Sequence, residues 1–113
     1  MVGADASVRR GQIWWADLNL GENKRVLVVS NNVRNRQLGD VIALRLTSKD
    51  KPDLPSIVRL EPEEMPDGSR SYVLADDPWV IEKKWLVRPI DALTPAQMRR
   101  VDAALHAALD LSY

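Results

Sequence analysis

The chain of 113 residues has no cysteine, which excludes disulfides and thiolate metal sites. That absence suits a reducing cytoplasm. It has one histidine, His106, and no P-loop, dinucleotide-binding glycine pattern, metal-ligand spacing or nucleophilic-serine elbow. Acid–base chemistry therefore falls to carboxylates, arginine or hydroxyls, and neither metal nor cofactor is expected. The N-terminal MVGADASVRR carries no apolar core of signal-peptide length, and no later run approaches a membrane span. Internal repeats and low-complexity tracts are missing too. The expectation is a cytoplasmic domain that does not engage membranes.

Length allows one compact domain over 1–113, with residues 1–9 expected as a flexible N-terminus. Sixteen basic residues balance sixteen acidic ones, which argues against indiscriminate coating of nucleic acid. The balance is uneven along the chain. Residues 1–51 hold nine Lys/Arg against five Asp/Glu, a net of +4, and residues 52–113 hold seven against eleven, a net of −4. A local basic cleft remains compatible with a neutral total, because the potential in a groove follows nearby charges.

GQIWWADLN (11–19) alternates and is rich in β-branched and aromatic residues, as a strand requires. RVLVVS follows after LGENK, a connection short enough for an antiparallel hairpin. NNVRNRQLGD (31–40) reads as a polar loop with room for one helical turn. VIALRLTS (41–48), SIVRL (56–60), SYVLAD (71–76) and a proline-limited WLVRPIDAL supply further strands. Between them EPEEMPDGSR forms an acidic excursion. Short strands at this spacing describe a small closed or nearly closed barrel. The period then changes over 94–111. Thr94, Pro95 and Gln97 start a helix, and Met98, Val101, Leu105 and Ala108 line one face, with Leu109 widening it. His106 sits off that stripe, as a surface residue.

RRGQIWWADLN, KRVLVVSN, the Asn-Arg at 35–36, ALRLTS and YVLADDPW occur in the order found in the MazF/PemK toxins, which this sequence resembles from Arg10 to the terminal helix. The resemblance implies a mainly β fold, an SH3-like barrel of five to seven strands with a C-terminal helix, assembled as a homodimer. It implies a toxin of a type II toxin–antitoxin pair that cleaves single-stranded RNA without a metal. In that reaction a 2′-hydroxyl attacks the neighbouring phosphate and leaves 2′,3′-cyclic phosphate and 5′-hydroxyl ends. A small antitoxin with an acidic segment would occupy the same groove. The competing readings are a non-catalytic toxin of this fold that binds a protein such as a DNA topoisomerase, and a plain barrel interaction module.

Two residues match the family's catalytic positions: Arg25, which opens the second strand, and Thr47, which ends the third. A fixed guanidinium can meet two non-bridging oxygens of a phosphorane-like transition state, and a threonine hydroxyl can donate to a phosphate. Glu22 and Asp76 are the alternative general bases. The Glu22 loop is shorter than is usual in the family, and Leu74 and Trp79 stand where some relatives place arginine. Trp79 is either core or a platform on which a base stacks, worth about 1–3 kcal/mol. Lys24, Ser30, Asn31, Asn35, Arg36, Ser48 and Lys49 complete the expected RNA-binding set, and Arg34 and Lys51 are further loop cations. Trp14 and Trp15, adjacent on one strand, must face opposite ways.

Overall fold

A computed structural model describes residues 8–111. Six strands form one antiparallel sheet: β1 (Gln12–Ala16), β2 (Lys24–Val28), β3 (Asp40–Thr47), β4 (Ile57–Leu60), β5 (Ser71–Glu82) and β6 (Leu86–Ala92). Their spatial order is β4-β5-β3-β2-β1-β6. The sheet curls like a barrel, but no β4–β6 ladder closes it among the described residues. Two helices complete the fold, α1 (Asn32–Gln37) and α2 (Pro95–Leu109). No helix among the described residues is long and apolar enough to cross a membrane.

Both faces of the sheet carry a core, and strand alternation sorts the side chains between them. The inner core holds Ile13, Leu27, Leu44, Leu46 and Val73, covered by Met98, Val101 and Ala104 of α2. The outer core holds Trp14, Val26, Val28, Val41, Ala43 and Ile81. Trp14 is thus buried, while Trp15 on the opposite face is half-buried. Val8 joins the outer core at 4 % exposure and the Arg9 backbone N–H donates to Gln12 Oε1 at 2.8 Å. The last two residues of the expected flexible stretch are therefore fixed, and the rest of it lies outside the described residues.

Gly11 is where β1 enters the sheet, and its φ of 95° favours a residue without a side chain. Its N–H donates to the Val28 carbonyl, and its own carbonyl accepts from Leu93. Arg10 beside it donates to the Val29 carbonyl and to Asp102, tying α2 to the sheet. Thr94 and Gln97 form a reciprocal capping box at the start of α2. The helix ends at Leu109, not at residue 111, because Asp110 turns left-handed with φ 52°. Its buried face uses Ala104 as well as Met98 and Val101, and Leu109 is exposed.

The largest departure from expectation is β5. It runs on through Asp76, Asp77 and Pro78 to Glu82. Asp-Asp-Pro has the composition of a turn, and a break does occur there. Leu46 pairs with Val73 and Leu44 with Pro78, so Arg45 alone on β3 faces four residues of β5, Leu74 to Asp77. Before the break β5 pairs with β4 as well as β3, and beyond it β5 continues beside β3 alone. Pro89, the other strand proline, lies on the edge strand β6, where a missing donor is tolerated.

Leu27→Ala should lower stability by about 2–5 kcal/mol, the cost of a cavity in a core that cannot collapse. Leu109→Ala should change it by no more than about 0.5 kcal/mol, since that side chain stays in water. Urea unfolding of both variants tests that Leu27 is in the core and Leu109 is outside it.

Candidate active site

The strands bring one group of the candidate residues together and carry another away. The end of β1, the start of β2, the end of β3 and the start of β5 lie at the same end of the sheet. Arg25, Lys24, Glu22, Thr47, Ser48 and Lys49 therefore gather there. Ser30, Asn31, Asn35 and Arg36 lie at the other end, on the β2–β3 connection. The eight residues of β3 separate the two groups by roughly 24 Å. Within one chain the expected RNA-binding set is thus two sets, because a strand's two flanking loops emerge at opposite ends.

Three members of the distant set also have structural work. Ser30 Oγ donates to Asn35 Oδ1 at 2.5 Å, and Asn35 Nδ2 donates to the Ser30 carbonyl at 2.9 Å. Both residues are buried, so the pair locks the turn and its polar atoms face inward. Asn31 caps α1 by accepting from the Arg34 backbone N–H at 2.8 Å. Arg34 itself donates to Asp40 at 2.7 Å, while Arg36 is exposed.

Alternation divides the near group between the two faces. Arg25 shares the inner face with Leu27 and pairs across β1 with Trp15. Its Nη1 donates to the Ser71 hydroxyl at 2.8 Å, and Ser71 is fully buried. A hydroxyl acceptor orients the guanidinium without neutralising it, so the positive charge stays available. Thr47 lies on the outer face, paired with Tyr72, and the register of Val26 with Arg45 carries Lys24 towards it. The Thr47 Oγ1 accepts from the Lys49 backbone N–H at 3.2 Å, which leaves the hydroxyl proton free to donate. A phosphate laid over the strand ends can meet Arg25 from one face and Thr47 from the other.

The two candidate bases differ in placement. Glu22 lies on the exposed loop at this end, its side chain 80 % exposed, in a 3.5 Å ion pair with Lys24. Asp76 is five residues along β5 from Ser71, at the break, where it accepts from Ser56 Oγ at 3.5 Å. Ser71 and Asp67 are site features that residue patterns alone miss. An inward-facing serine at the step of Val73 and Ala75 is the only signal for Ser71. Asp67 stands on the acidic excursion, close enough to feel the charge of Arg25. The Ser69 N–H and hydroxyl, at 3.0 and 2.8 Å, hold its carboxyl below the usual carboxylate range, and Arg25 adds to that.

Two clefts flank the outer-face residues. One of about 490 Å³ runs between Asp17–Asn19 and Trp79–Glu82, with Trp85 at its side. Trp79 packs on the outer core and lines this cleft, and its Nε1 donates to Asp77 at 3.0 Å. Trp85 is 45 % exposed, with Nε1 donating to Glu82 at 3.1 Å and the Lys84 ammonium 5.3 Å from its ring centre. The second cleft, about 230 Å³, brings Lys51, Arg59 and Tyr72 together.

A curled antiparallel sheet with cations and hydroxyls gathered at one set of strand ends defines a small β domain suited to gripping a phosphodiester. Residues 9–109 match the family described as PemK-like, MazF-like toxin of type II toxin-antitoxin system, and the chain belongs to it. It is 38 % identical over 104 residues to endoribonuclease MazF1 of Mycobacterium bovis, covering 92 % of this chain and 94 % of the relative. Endoribonuclease MazF4 of Mycobacterium tuberculosis is similar to the same extent. Among solved structures, a mycobacterial endoribonuclease in complex with its cognate antitoxin superposes with a TM-score of 0.82. It is 35 % identical, and the match covers 95 % of this chain and 99 % of that one.

The lowered Asp67 carboxyl carries a pH dependence with a definite sign. Its contribution to stability is complete above the ordinary carboxylate range and is lost as pH falls through its lowered folded value. Proton titration followed by NMR should show Ser69→Ala raising the Asp67 value more than Arg25→Ala does. The reverse order would place the arginine, not the serine, in command of that carboxylate.

Proposed function

We propose that this protein is the toxin of a type II toxin–antitoxin pair and an endoribonuclease that cuts single-stranded RNA in the cytoplasm. The observation that carries this reading is Arg25: a strand-opening arginine, oriented by buried Ser71, in a chain belonging to this toxin family from residue 9 to 109. The relatives' name as endoribonucleases favours it over a non-catalytic toxin directed at a protein. A cognate antitoxin is the expected protein partner, as in the mycobacterial complex, and a homodimer the expected assembly.

In the proposed reaction the 2′-oxygen bonds to the adjacent phosphorus and the bond from phosphorus to the 5′-oxygen breaks. The attacking hydroxyl gives its proton to a carboxylate, and the departing oxygen takes one up. Negative charge gathers on the non-bridging oxygens as phosphorus becomes five-coordinate, and Arg25 meets it there. Thr47 donates to the same phosphate from the outer face. Arginine is effectively always charged, so its first role is electrostatic stabilisation and proton donation comes second. Glu22 is the better placed of the two expected bases: it shares the strand-end site, and its exposed loop can close on RNA. Lys24, Ser48, Lys49 and Lys51 serve the sugar–phosphate backbone, and Trp79 offers a ring to an unpaired base.

The purified protein, free of antitoxin, should cleave a long single-stranded RNA in the presence of EDTA. Primer extension should map the ends to one short sequence. Arg25→Ala should slow cleavage by about 100- to 1,000-fold, the scale of a lost transition-state donor. Ser71→Ala should slow it by about tenfold, the scale of one hydrogen bond. Wild-type protein that leaves such RNA intact overturns the enzymatic reading.

A further inference from the structure

We propose that Arg45 is a further phosphate-binding residue on the outer face, held by Asp77 when the groove is empty and transferred to an RNA phosphate on binding. The inference rests on the RNA-cleaving function above and adds a residue to it. Three observations point to Arg45. The first is its hydrogen bonding. None of its guanidinium N–H groups makes a hydrogen bond among the described residues, and its Nε is buried without a partner. Its only ion pair among the described residues is long, 3.6 Å from Nη1 to Asp77. Arg25, Arg34 and Arg100, in contrast, each hold an acceptor within 2.8 Å. A guanidinium with five donors and no hydrogen bond is costly to leave so, and a bidentate oxyanion is its natural complement.

The second observation is position. Arg45 is two residues from Thr47 on the same strand, so both point to the outer face. Tyr72 and the Lys51–Arg59 cleft lie beyond Thr47, and Asp77 and the Trp79 cleft lie beyond Arg45. Arg45 therefore lies on the outer face between the two clefts. Successive phosphates of an RNA that crosses Thr47 and lays a base on Trp79 pass over it.

The third is the tether. Asp77 reaches Arg45 because the four residues Leu74–Asp77 bulge out opposite it, and Asp77 is itself fixed by Trp79 Nε1. A weak pair at a break in the ladder can open without disturbing either core. The chemistry selects a phosphodiester backbone over an acidic peptide, since the aromatic clefts on either side suit bases.

Binding of a 2′-O-methyl RNA oligomer carrying the mapped cut site, followed by fluorescence anisotropy across a KCl series, tests this. Arg45→Gln should weaken binding about tenfold and reduce the salt slope by about 0.7, the share of one phosphate contact on a single strand. Asp77→Asn should instead strengthen binding severalfold by releasing Arg45, and that gain should vanish in the double variant. Arg45→Lys, which keeps the charge, should preserve the slope. Thermal melts confirm that each variant is folded. A purely structural pair predicts that Arg45→Gln and Asp77→Asn weaken binding alike, and that result overturns the proposal. So does unchanged affinity in Arg45→Gln, or a loss confined to an acidic antitoxin peptide. Wild-type protein that fails to bind the oligomer overturns the RNA reading itself, whereas normal wild-type binding with an unaffected Arg45→Gln rejects Arg45 alone.

Discussion

Alternation along β2 and β3, with a core on each face, is the constraint on which the site depends. Val26 and Val28 are fully buried on one side of the sheet and Leu27 on the other. A slip of one residue would turn all three to the opposite face and disturb the packing of both cores, so the register is strongly specified. Arg25 is consequently held on the inner face and Lys24 on the outer, although they are neighbours in the chain. Thr47 and Arg45 are held on the outer face by Leu44 and Leu46 in the same manner. A substrate must therefore lie over the strand ends to touch both faces.

The break in β5 is the second determinant. A long strand that curls with the sheet takes up extra residues where it bends, and here four residues stand opposite one. The bulge presents Asp76 to Ser56 and Asp77 to Arg45, so the two adjacent aspartates have different tasks. It also turns the strand so that Trp79 packs on the outer core and borders a cleft. The fold's irregularity and the candidate groove are thus one feature.

Much of this was legible in the residues. β-branched alternation marked β1, β2 and β3, and Thr94, Pro95 and Gln97 marked the start of α2. The full reach of β5 was not, because Asp-Asp-Pro has turn chemistry and a sheet-wide bend is needed to place it inside a strand. Family likeness singled out Arg25, Thr47 and Glu22, and the sheet brings their strand ends to one end. Ser30 and Asn35 looked like loop donors because a polar pair that satisfies itself in the interior has the same composition as one that faces solvent. Ser71, Asp67 and Arg45 acquire meaning only from partners 46, 42 and 32 positions away, Arg25 for the first two and Asp77 for the third.

The zero net charge is reconciled with an anionic substrate by how the charges pair. In the acidic second half two glutamates hold that half's own arginines: Glu61 holds Arg59 at 2.7 Å and Arg70 at 3.2 Å, and Glu64 holds Arg100 at 2.8 Å. Those short pairs pin α2, β4 and the acidic excursion together. The pairs at the groove are looser, with Lys24 3.5 Å from Glu22 and Arg45 3.6 Å from Asp77. Arg25 has a neutral hydroxyl as its hydrogen-bond partner and Asp67 only as a more distant field. Exposed ion pairs of this kind contribute little to stability, so a phosphate that displaces their carboxylates gives up little for each charge it gains. A neutral protein can hold a positive groove in this way, with its tight pairs in the scaffold and its loose ones where RNA is to bind.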